Sequence, residues 1–377
     1  MAASRLTYLD HNATAPVRPA VAAAVAEALA LVGNPSSVHR AGRAARRAVE
    51  TARRAVAALV GAEAREVVFV SGGSEANQLA LRGSGRRRIL VSAIEHDSVL
   101  TAVADAEILP VDPNTGIVDL ALLADRLAAD KRPALVSIML ANNETGIIQP
   151  IAEIAEIVDA GGGLLHCDAI QAAGKLPLDR ALLGADLLSL SAHKLGGPQG
   201  VGALLVAPDV ALMALQTGGG QEHGRRAGTE NVPGIVGFGR ACALAAEGLA
   251  AYARTAELRD RAERELLALA PEAQIFGAGL PRLPNTLCIT MPGVSAATQV
   301  MALDLAGVMV SAGAACSSGK VRPSHVLRAM GASPEAAASA IRISLGWDST
   351  AADIDHLVEA WGALYGRAGR RVAASAA

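Results

Sequence analysis

The chain has 377 residues, of which 51% are apolar and 19% charged, and its 34 basic and 36 acidic side chains leave a formal net charge of −2. This composition excludes an intrinsically disordered protein and argues against a nucleic-acid-binding protein held by bulk charge. With only 2 Trp, 3 Tyr and 3 Phe, the chain also offers few platforms on which single-stranded nucleic acid could stack.

The N-terminal segment MAASRLTYLDHNATAP contains no basic region followed by an apolar stretch, so it does not have the pattern of a secretory leader. No run in the sequence reaches the roughly 18 consecutive apolar residues expected of a membrane helix. We therefore expect a cytoplasmic protein without membrane contact. At roughly 150 residues per domain, the length predicts two or three domains.

Helical and strand-like segments alternate along the first half of the chain. Ala- and Leu-rich segments with polar residues at intervals predict helices at 19–32, 44–60, 74–82, 120–129 and 151–160. Short, near-continuous apolar runs predict strands at 67–70, 88–92, 134–140, 163–167, 186–191 and 201–206. Strands of this kind are buried on both faces in parallel or mixed sheets covered by helices, so the pattern predicts an α/β fold.

The pattern changes in the second half of the chain. A long Ala-rich helical stretch covers 231–269, and strand-like or helical segments follow at 284–291, 296–305, 308–311 and 341–345. These segments predict a smaller α+β unit. We assign residues 16–250 to a large domain, and residues 1–15 and 251–377 to a small domain that carries a mobile loop at about 311–322.

Polar residues follow five of the predicted strands, where ligands of open α/β sheets bind. Four of these loops read, in chain order, SGGSEAN, AIEHDSV, ANNETG and SAHKLGGPQG. The remaining one, after the strand at 163–167, carries Asp168 and Gln171. In the first, Gly72 and Gly73 allow backbone N–H groups to approach a phosphate, and Ser74 can cap the next helix. The five loops are therefore the candidates for a binding site.

Each loop alone also has an ordinary structural explanation. A Gly-Gly-Ser sequence is often only a helix cap, and ANNETG is explained as well by turn chemistry. His96 at a helix start is usually a capping or surface residue. Asp168 is costly to bury unless a cation meets it. Lys194 has a lowered pKa if its ammonium is desolvated, but it could equally be an exposed lysine at a hairpin tip.

Together the five loops describe one ligand. Pyridoxal phosphate needs a lysine for its aldehyde, a carboxylate for its pyridine nitrogen, a ring-stacking group and a phosphate cup. Lys194, Asp168 and His96 supply the first three groups. The hydroxyl and imidazole groups of the cup come from Ser74, Ser191 and His193. The loops therefore predict an enzyme that uses this coenzyme to form a carbanion at the α-carbon of an amino acid.

Long motifs in a fixed order run through nearly the whole chain: YLDHNATAP, GNPSSVHRAG, SGGSEAN, EHDSV, ANNETG, HCDAIQAAGK, LSAHKLGGPQGVGAL, GGGQEHGRRAGTEN, RLPNT, AACSSGK, PSHVLRAMG and IRISLG. By these motifs the sequence resembles the cysteine desulfurases (NifS- and IscS-like), within the class V aminotransferase branch of the fold-type I pyridoxal-phosphate enzymes. The resemblance implies a homodimer. It also implies a large domain with a mostly parallel seven-stranded sheet flanked by helices, and a smaller α+β domain.

The resemblance assigns roles to individual residues. Lys194 would bind the coenzyme as a Schiff base, Asp168 would pair with the pyridine nitrogen, Gln171 would bond the ring hydroxyl, and His96 would stack on the ring. The phosphate would be held by Gly73, Ser74, Ser191, His193 and, from the neighbouring subunit, Thr229. Asn143 and Arg342 would bind the substrate carboxylate, Arg342 through its charged fork. Two departures from the family pattern are Ser74 for threonine and Gln199 for lysine.

Cys316 decides the predicted reaction. It lies in SAGAACSSGK, where no large apolar side chain precedes Lys320, and its thiolate would be a competent nucleophile. The resemblance implies that Cys316 takes sulfur from L-cysteine as a persulfide, leaves L-alanine, and passes sulfur to an acceptor such as an iron–sulfur scaffold protein, with His96 as a nearby base. We expect no resident metal, although Cys316 could act as a transient iron–sulfur ligand.

The other cysteines and the alternative functions complete the prediction. The chain has four cysteines, which are too few and too scattered for a disulfide framework and include no CxxC pair for zinc. Apart from Cys316, they are predicted to be small core residues: Cys167, Cys242 and Cys288. A selenocysteine lyase or another class V aminotransferase would share the coenzyme loops. A non-catalytic sulfur-relay scaffold is a further alternative, but retention of Lys194 and Cys316 together favours catalysis.

Overall fold

The computed structural model describes residues 6–313 and 324–375. The helices of this part are α1 (Pro19–Leu29), α2 (Arg40–Leu59), α3 (Gly73–Gly83), α4 (Asp97–Leu100), α5 (Leu120–Ala129), α6 (Ile151–Ala160), α7 (Arg180–Leu183), α8 (Val232–Ala253), α9 (Thr255–Leu269), α10 (Ala296–Leu305), α11 (His325–Ala329), α12 (Pro334–Ser339) and α13 (Ala351–Ser375). The strands are β1 (Thr7–Tyr8), β2 (Val67–Val70), β3 (Arg88–Ser92), β4 (Glu107–Leu109), β5 (Ala134–Met139), β6 (Leu164–Asp168), β7 (Leu187–Ser191), β8 (Gly202–Val206), β9 (Ile275–Phe276), β10 (Thr286–Thr290), β11 (Val308–Met309), β12 (Ser311–Ala312) and β13 (Ala340–Ser344).

The largest sheet has seven strands in the order β2-β8-β7-β6-β5-β3-β4. Strand β8 runs antiparallel to both its neighbours, and the remaining pairs are parallel. The predicted mostly parallel seven-stranded sheet is therefore confirmed. Sequence analysis missed β4, a three-residue edge strand whose Ile108 is 49% exposed, because a short edge strand lacks the continuous apolar run of a central one.

Alternate residues of the central strands pack into two different hydrophobic cores. In β5, Val136 and Ile138 belong to one core and Leu135 belongs to the other. Side chains of a strand point alternately to opposite faces, so helices must cover both faces of the sheet. Burying an aliphatic side chain contributes about 1.5–3 kcal/mol, which explains why apolar residues dominate these strands.

The direction of the strands determines where their loops lie. Strands β3, β5, β6 and β7 are parallel, and β2 shares their direction because two antiparallel pairings through β8 separate it from β7. The carboxyl ends of all five strands therefore lie at one edge of the sheet. These are the five strands whose following loops carry the predicted site.

A second group of elements follows the large sheet along the chain. Strands β12, β13, β10 and β9 form a four-stranded antiparallel sheet, over a separate core that contains the fully buried Trp361 of α13. N-terminal strand β1 pairs with β11. The predicted boundary between residues 16–250 and the two flanking segments stays a prediction.

The stretch 231–269 forms two helices rather than one. Arg254 lies between them, as the C-cap of α8 and the N-cap of α9. Among the described helices, α8 is the one that is long and apolar enough to cross a membrane by length and composition. It packs against α1 and α2, and Phe238, Ala241 and Cys242 are fully buried, so it serves as a core helix here.

Candidate active site

A cleft of about 430 Å³ opens at the carboxyl edge of the large sheet, within the range typical of sites for small ligands. Ten of the predicted site residues line it: Gly73, Ser74, His96, Asn143, Asp168, Gln171, Ser191, His193, Lys194 and Arg342. The structure therefore brings these ten side chains and loops together, while their individual chemical roles stay predictions.

Lys194 ends a short 3₁₀ turn that follows β7. Its Nζ donates to the main-chain oxygens of Asn12 at 2.6 Å and Ala13 at 2.8 Å. Burial, assisted by the positive charge of Arg342, lowers the pKa of Lys194 to about 8, although Asp10 and Asp168 oppose the shift. A larger share of the amine is consequently neutral near pH 8, which is the form that adds to a carbonyl.

Asp168 is the last residue of β6 and is 5% exposed. Its carboxylate accepts from Asn77 Nδ2 at 2.8 Å and from the main-chain N–H of Ile170 at 3.0 Å. Burial raises the pKa of Asp168 because these neutral donors and the nearby His96 and Lys194 only partly compensate for lost water. A cationic N–H group entering from the cleft would stabilise the ionised form.

A further group of cleft residues is suited to an anion. Helix α3 begins at Gly73, where a Cβ atom would lie 2.3 Å from Ile170 Cδ1. The Ser191 hydroxyl is buried without a hydrogen-bond partner. His193 lies within 3.2 Å of Thr14 Oγ1, and burial lowers its pKa to about 4, so its ring is neutral at pH 7. An unpartnered hydroxyl at a helix N-terminus is a fitting arrangement for a phosphate group.

His96 and Gln171 also line the cleft. His96 caps α4, and its Nδ1 accepts from the main-chain N–H of Ser98 at 3.1 Å, which orients the ring. Gln171 Nε2 donates to the Asn12 main-chain oxygen at 2.9 Å. Both side chains line the same cleft as Lys194 and Asp168.

Arg342 comes from β13 of the second sheet. Its guanidinium pairs with Asp10 at 2.7 Å and donates to the Asn143 main-chain oxygen at 3.1 Å. Its Nε is buried without a hydrogen-bond partner. A carboxylate in the cleft would therefore meet a guanidinium that is already held in place.

Glu144 and His325 are site residues that sequence analysis missed, although both lie in quoted motifs. Glu144 Oε2 accepts from Ser324 Oγ at 2.6 Å, and a Cβ atom on Gly313 would lie 2.7 Å from the same oxygen. His325 Nε2 lies 2.9 Å from the Glu95 main-chain oxygen. The residues on either side of segment 314–323 thus border the cleft. Cys316, and most of the predicted loop 311–322, lie outside the described residues.

Thr229 does not line this cleft; it is exposed on the surface of its own chain.

Cys167, Cys242 and Cys288 are free thiols with 0% exposure, and burial raises the pKa of each thiol. The interpretation of these three as core residues is confirmed. Across residues 6–313 and 324–375, no group of His, Cys, Asp and Glu side chains is arranged to hold a metal ion.

Glu95 is a fully buried carboxyl group behind the cleft. Its Oε1 accepts from Ser92 Oγ at 2.6 Å and from the Met139 N–H at 2.8 Å, whereas Oε2 has no partner. Burial raises the pKa of Glu95 to about 8 from 4.5. Between these values the folded protein holds a proton that the unfolded chain releases, so stability falls as pH rises through this window.

We expect Glu95→Gln to remove this part of the pH dependence, because a neutral amide cannot ionise. In coenzyme-free protein between pH 5 and 8, Glu95 should lower the free energy of unfolding of the wild type by up to about 1.4 kcal/mol per pH unit. The variant should lack this contribution to the slope. Urea unfolding at several pH values measures the difference. The exposed Glu153→Gln on α6 is the control, and equal slopes for wild type and Glu95→Gln would contradict the expectation.

Comparisons with known proteins agree over nearly the whole chain. The family model of the class V aminotransferases matches residues 7–357. A cysteine desulfurase of Cereibacter sphaeroides is 47% identical over 367 residues, covering 93% of this chain and 94% of that protein. An IscS-like cysteine desulfurase of Mycobacterium tuberculosis is 41% identical and covers 99% of each chain. The solved structure of a NifS-like protein from Rickettsia africae has a TM-score of 0.89 at 36% identity, covering 96% of this chain and 100% of that one.

Proposed function

The chain belongs to the class V aminotransferase family, and we propose that it is a cysteine desulfurase that uses pyridoxal phosphate. Relatives of 41% and 47% identity that carry this activity in their names support the proposal. The observation that carries it is the meeting, in one cleft, of the amine of Lys194, the buried carboxyl of Asp168 and the unpartnered hydroxyl of Ser191.

The residues of the cleft fit the functional groups of pyridoxal phosphate. Lys194 Nζ would hold its aldehyde carbon, Asp168 its pyridine N–H, and Ser191 with the N-terminus of α3 its phosphate. When bound, the coenzyme supplies an electron sink that stabilises negative charge at the α-carbon of an amino acid. The buried setting of Asp168 strengthens its attraction for a cationic ring nitrogen.

The chain's own residues then perform three tasks. Arg342 binds the carboxylate of L-cysteine, and Lys194 Nζ acts as the base that moves the α-proton. Cys316 supplies the thiolate that accepts sulfur. One C–S bond breaks and one S–S bond forms, so that L-cysteine and the Cys316 thiol become L-alanine and a Cys316 persulfide without any external oxidant.

Loss of Arg342 should weaken substrate binding and leave coenzyme binding intact. A hydrogen bond to a charged group contributes about 1.5–3 kcal/mol, so Arg342→Ala should raise KM for L-cysteine roughly 10- to 150-fold. Steady-state kinetics measure KM, and the visible absorption of the bound coenzyme serves as the internal reference. Arg328→Ala, at an exposed position on α11, is the matched control. An unchanged KM would mean that other groups hold the carboxylate.

The test of the function is incubation of coenzyme-loaded protein with L-cysteine and a thiol reductant. A desulfurase forms L-alanine and sulfide in equal amounts. Strong preference for L-selenocysteine in competition would instead indicate a selenocysteine lyase. Transfer of the amino group to a keto acid would indicate an aminotransferase, and absence of any product would indicate a non-catalytic relay protein.

We also propose that the active enzyme is a homodimer in which Thr229 of one subunit completes the phosphate site of the other. Exposure of Thr229 away from its own cleft supports this arrangement. Exposed apolar side chains on the same surface segment, Met213 at 60% and Leu215 at 48%, are suited to a subunit interface. Sedimentation of the purified protein as a monomer at assay concentration would contradict the proposal.

The persulfide sulfur is proposed to pass to an acceptor protein, such as a scaffold for iron–sulfur cluster assembly. A cytoplasmic location is proposed with it, because a carrier thiol needs a reducing compartment. The three free thiols among the described residues are compatible with such a compartment. Fractionation of cells that produce the protein tests the location.

A further inference from the structure

Lys175 is a buried lysine beneath the cleft that the mechanism does not use. It is 3% exposed, and its Nζ donates to Asn12 Oδ1 at 2.7 Å and Gln171 Oε1 at 2.8 Å. Both acceptors are neutral amide oxygens. Burial and the positive charges of Lys194 and Arg342 lower the pKa of Lys175 well below its usual value. A lysine held at this electrostatic cost requires a reason beyond packing.

The hydrogen bonds of Lys175 determine the orientation of a neighbouring amide. Lys175 Nζ donates to Gln171 Oε1 at 2.8 Å, so the amide oxygen of Gln171 faces the lysine. The Gln171 nitrogen then faces the opposite way and donates to the Asn12 main-chain oxygen at 2.9 Å. The same oxygen accepts from Lys194 Nζ at 2.6 Å. The N–H side of Gln171 is therefore on the side of Lys194.

Asn12 does not depend on Lys175 in the same way. Its Oδ1 also accepts from Asn285 Nδ2 at 3.0 Å, and its Nδ2 donates to Thr286 Oγ1 at 2.9 Å. These bonds would hold the Asn12 amide if Lys175 were absent. Gln171 Oε1, by contrast, has Lys175 as its hydrogen-bond partner among the described residues. Loss of Lys175 would thus leave the Gln171 amide with the single bond from its Nε2 to the Asn12 main-chain oxygen.

We propose that Lys175 is a positioning residue for coenzyme binding: it holds the Gln171 amide with its N–H side toward Lys194, so that the cleft offers a donor to the ring hydroxyl oxygen. The inference rests on the proposed function, because it names the oxygen of pyridoxal phosphate as the acceptor. A flipped amide would present Oε1 to that oxygen and repel it. Among the described residues, Gln171 Nε2 makes one donation, to the Asn12 main-chain oxygen, which leaves its second N–H for the coenzyme.

The test follows the visible absorption of coenzyme bound at Lys194 as a function of pH. A donor to the ring oxygen favours the ionised form of that oxygen. Lys175→Met should therefore raise, by roughly one pH unit, the midpoint of the pH titration of the coenzyme's visible absorption. It should also weaken coenzyme binding roughly tenfold, measured by titration of coenzyme-free protein. Lys131→Met, at an exposed lysine, is the control and should change neither value.

A double-mutant cycle tests whether Lys175 acts through Gln171. In a Gln171→Leu background, Lys175→Met should shift the midpoint far less than in the wild type. Equal shifts in the two backgrounds, or no shift at all, would overturn the proposal. A colourless wild-type protein would instead contradict the proposed function, so the two failures are distinguishable.

Gln171→Glu keeps the test open if Lys175→Met does not fold. The new carboxylate can pair with Lys175, which favours folding, but it has no N–H to offer the coenzyme. We expect a raised midpoint and at least roughly tenfold weaker coenzyme binding. Wild-type values for Gln171→Glu would show that no donor is needed at this position and would overturn the proposal.

Discussion

Lys194→Ala is expected to abolish the visible absorption that develops when pyridoxal phosphate is added to the protein. The amine lies in the cleft with a pKa lowered to about 8, so it is the group prepared to bind an aldehyde near neutral pH. Alanine production should fall by at least about 10³-fold, because the same amine moves the α-proton. Absorbance spectra, and borohydride fixation followed by peptide mass analysis, measure the loss.

The small number of lysines makes this experiment sharp. The chain contains four, Lys131, Lys175, Lys194 and Lys320, so a fixed coenzyme can be assigned to one peptide. In the wild type, the rate of coenzyme capture should rise with pH around a midpoint of about 8, because the neutral amine is the reacting form. Lys131→Ala should behave as the wild type. A reducible adduct on another lysine in Lys194→Ala would remove Lys194 from its assigned role.

Cys316→Ser is expected to separate coenzyme binding from sulfur transfer. The variant should retain the visible absorption and bind L-cysteine, because the described lining of the cleft is formed by other residues. Alanine formation should fall roughly 10⁴-fold or more, as for other removed nucleophiles, since a serine hydroxyl does not ionise at neutral pH and cannot form a persulfide. Chromatographic measurement of L-alanine tests this.

The matched control uses a cysteine of the core. Cys242→Ala removes a buried thiol of α8 that is not among the residues lining the cleft, and it should leave the yield of alanine per coenzyme unchanged. Persulfide labelling of the wild type should identify Cys316 and should be absent from Cys316→Ser. Alanine production at the wild-type rate by the serine variant would exclude a persulfide at this position and favour an aminotransferase or lyase.

Sequence patterns predicted the parts of the cleft that depend on local chemistry. Apolar runs followed by Ser74, His96, Asp168 and Lys194 placed these residues at strand ends, and parallel pairing then had to bring them to one edge of the sheet. The missed edge strand β4 and the break at Arg254 show the limit of such patterns. An exposed three-residue strand and a helix junction between Ala-rich segments have no distinctive local signal.

Partners that are distant along the chain could not be predicted in this way. The oxygens that hold Lys194 belong to Asn12 and Ala13, 182 and 181 residues away, and they are main-chain atoms that carry no sequence signal. Arg342 meets Asp10 across 332 residues. The buried Lys175 reads in the sequence as an ordinary residue after a glycine, and only the surrounding structure shows that it bonds two amides.

The sequence by itself determined the order of the central strands along the chain, the chemistry of the loops behind them and the presence of Cys316 in a segment of small residues. Tertiary structure decided that the amine of Lys194 is buried against the main-chain oxygen of Asn12. It also decided that the buried carboxyl of Asp168 is held by neutral hydrogen-bond donors, and that Thr229 lies outside the cleft of its own chain. The physical reason is that residue type sets what a group can donate, accept or bury, whereas pKa and hydrogen bonding depend on neighbours that only the folded chain brings together.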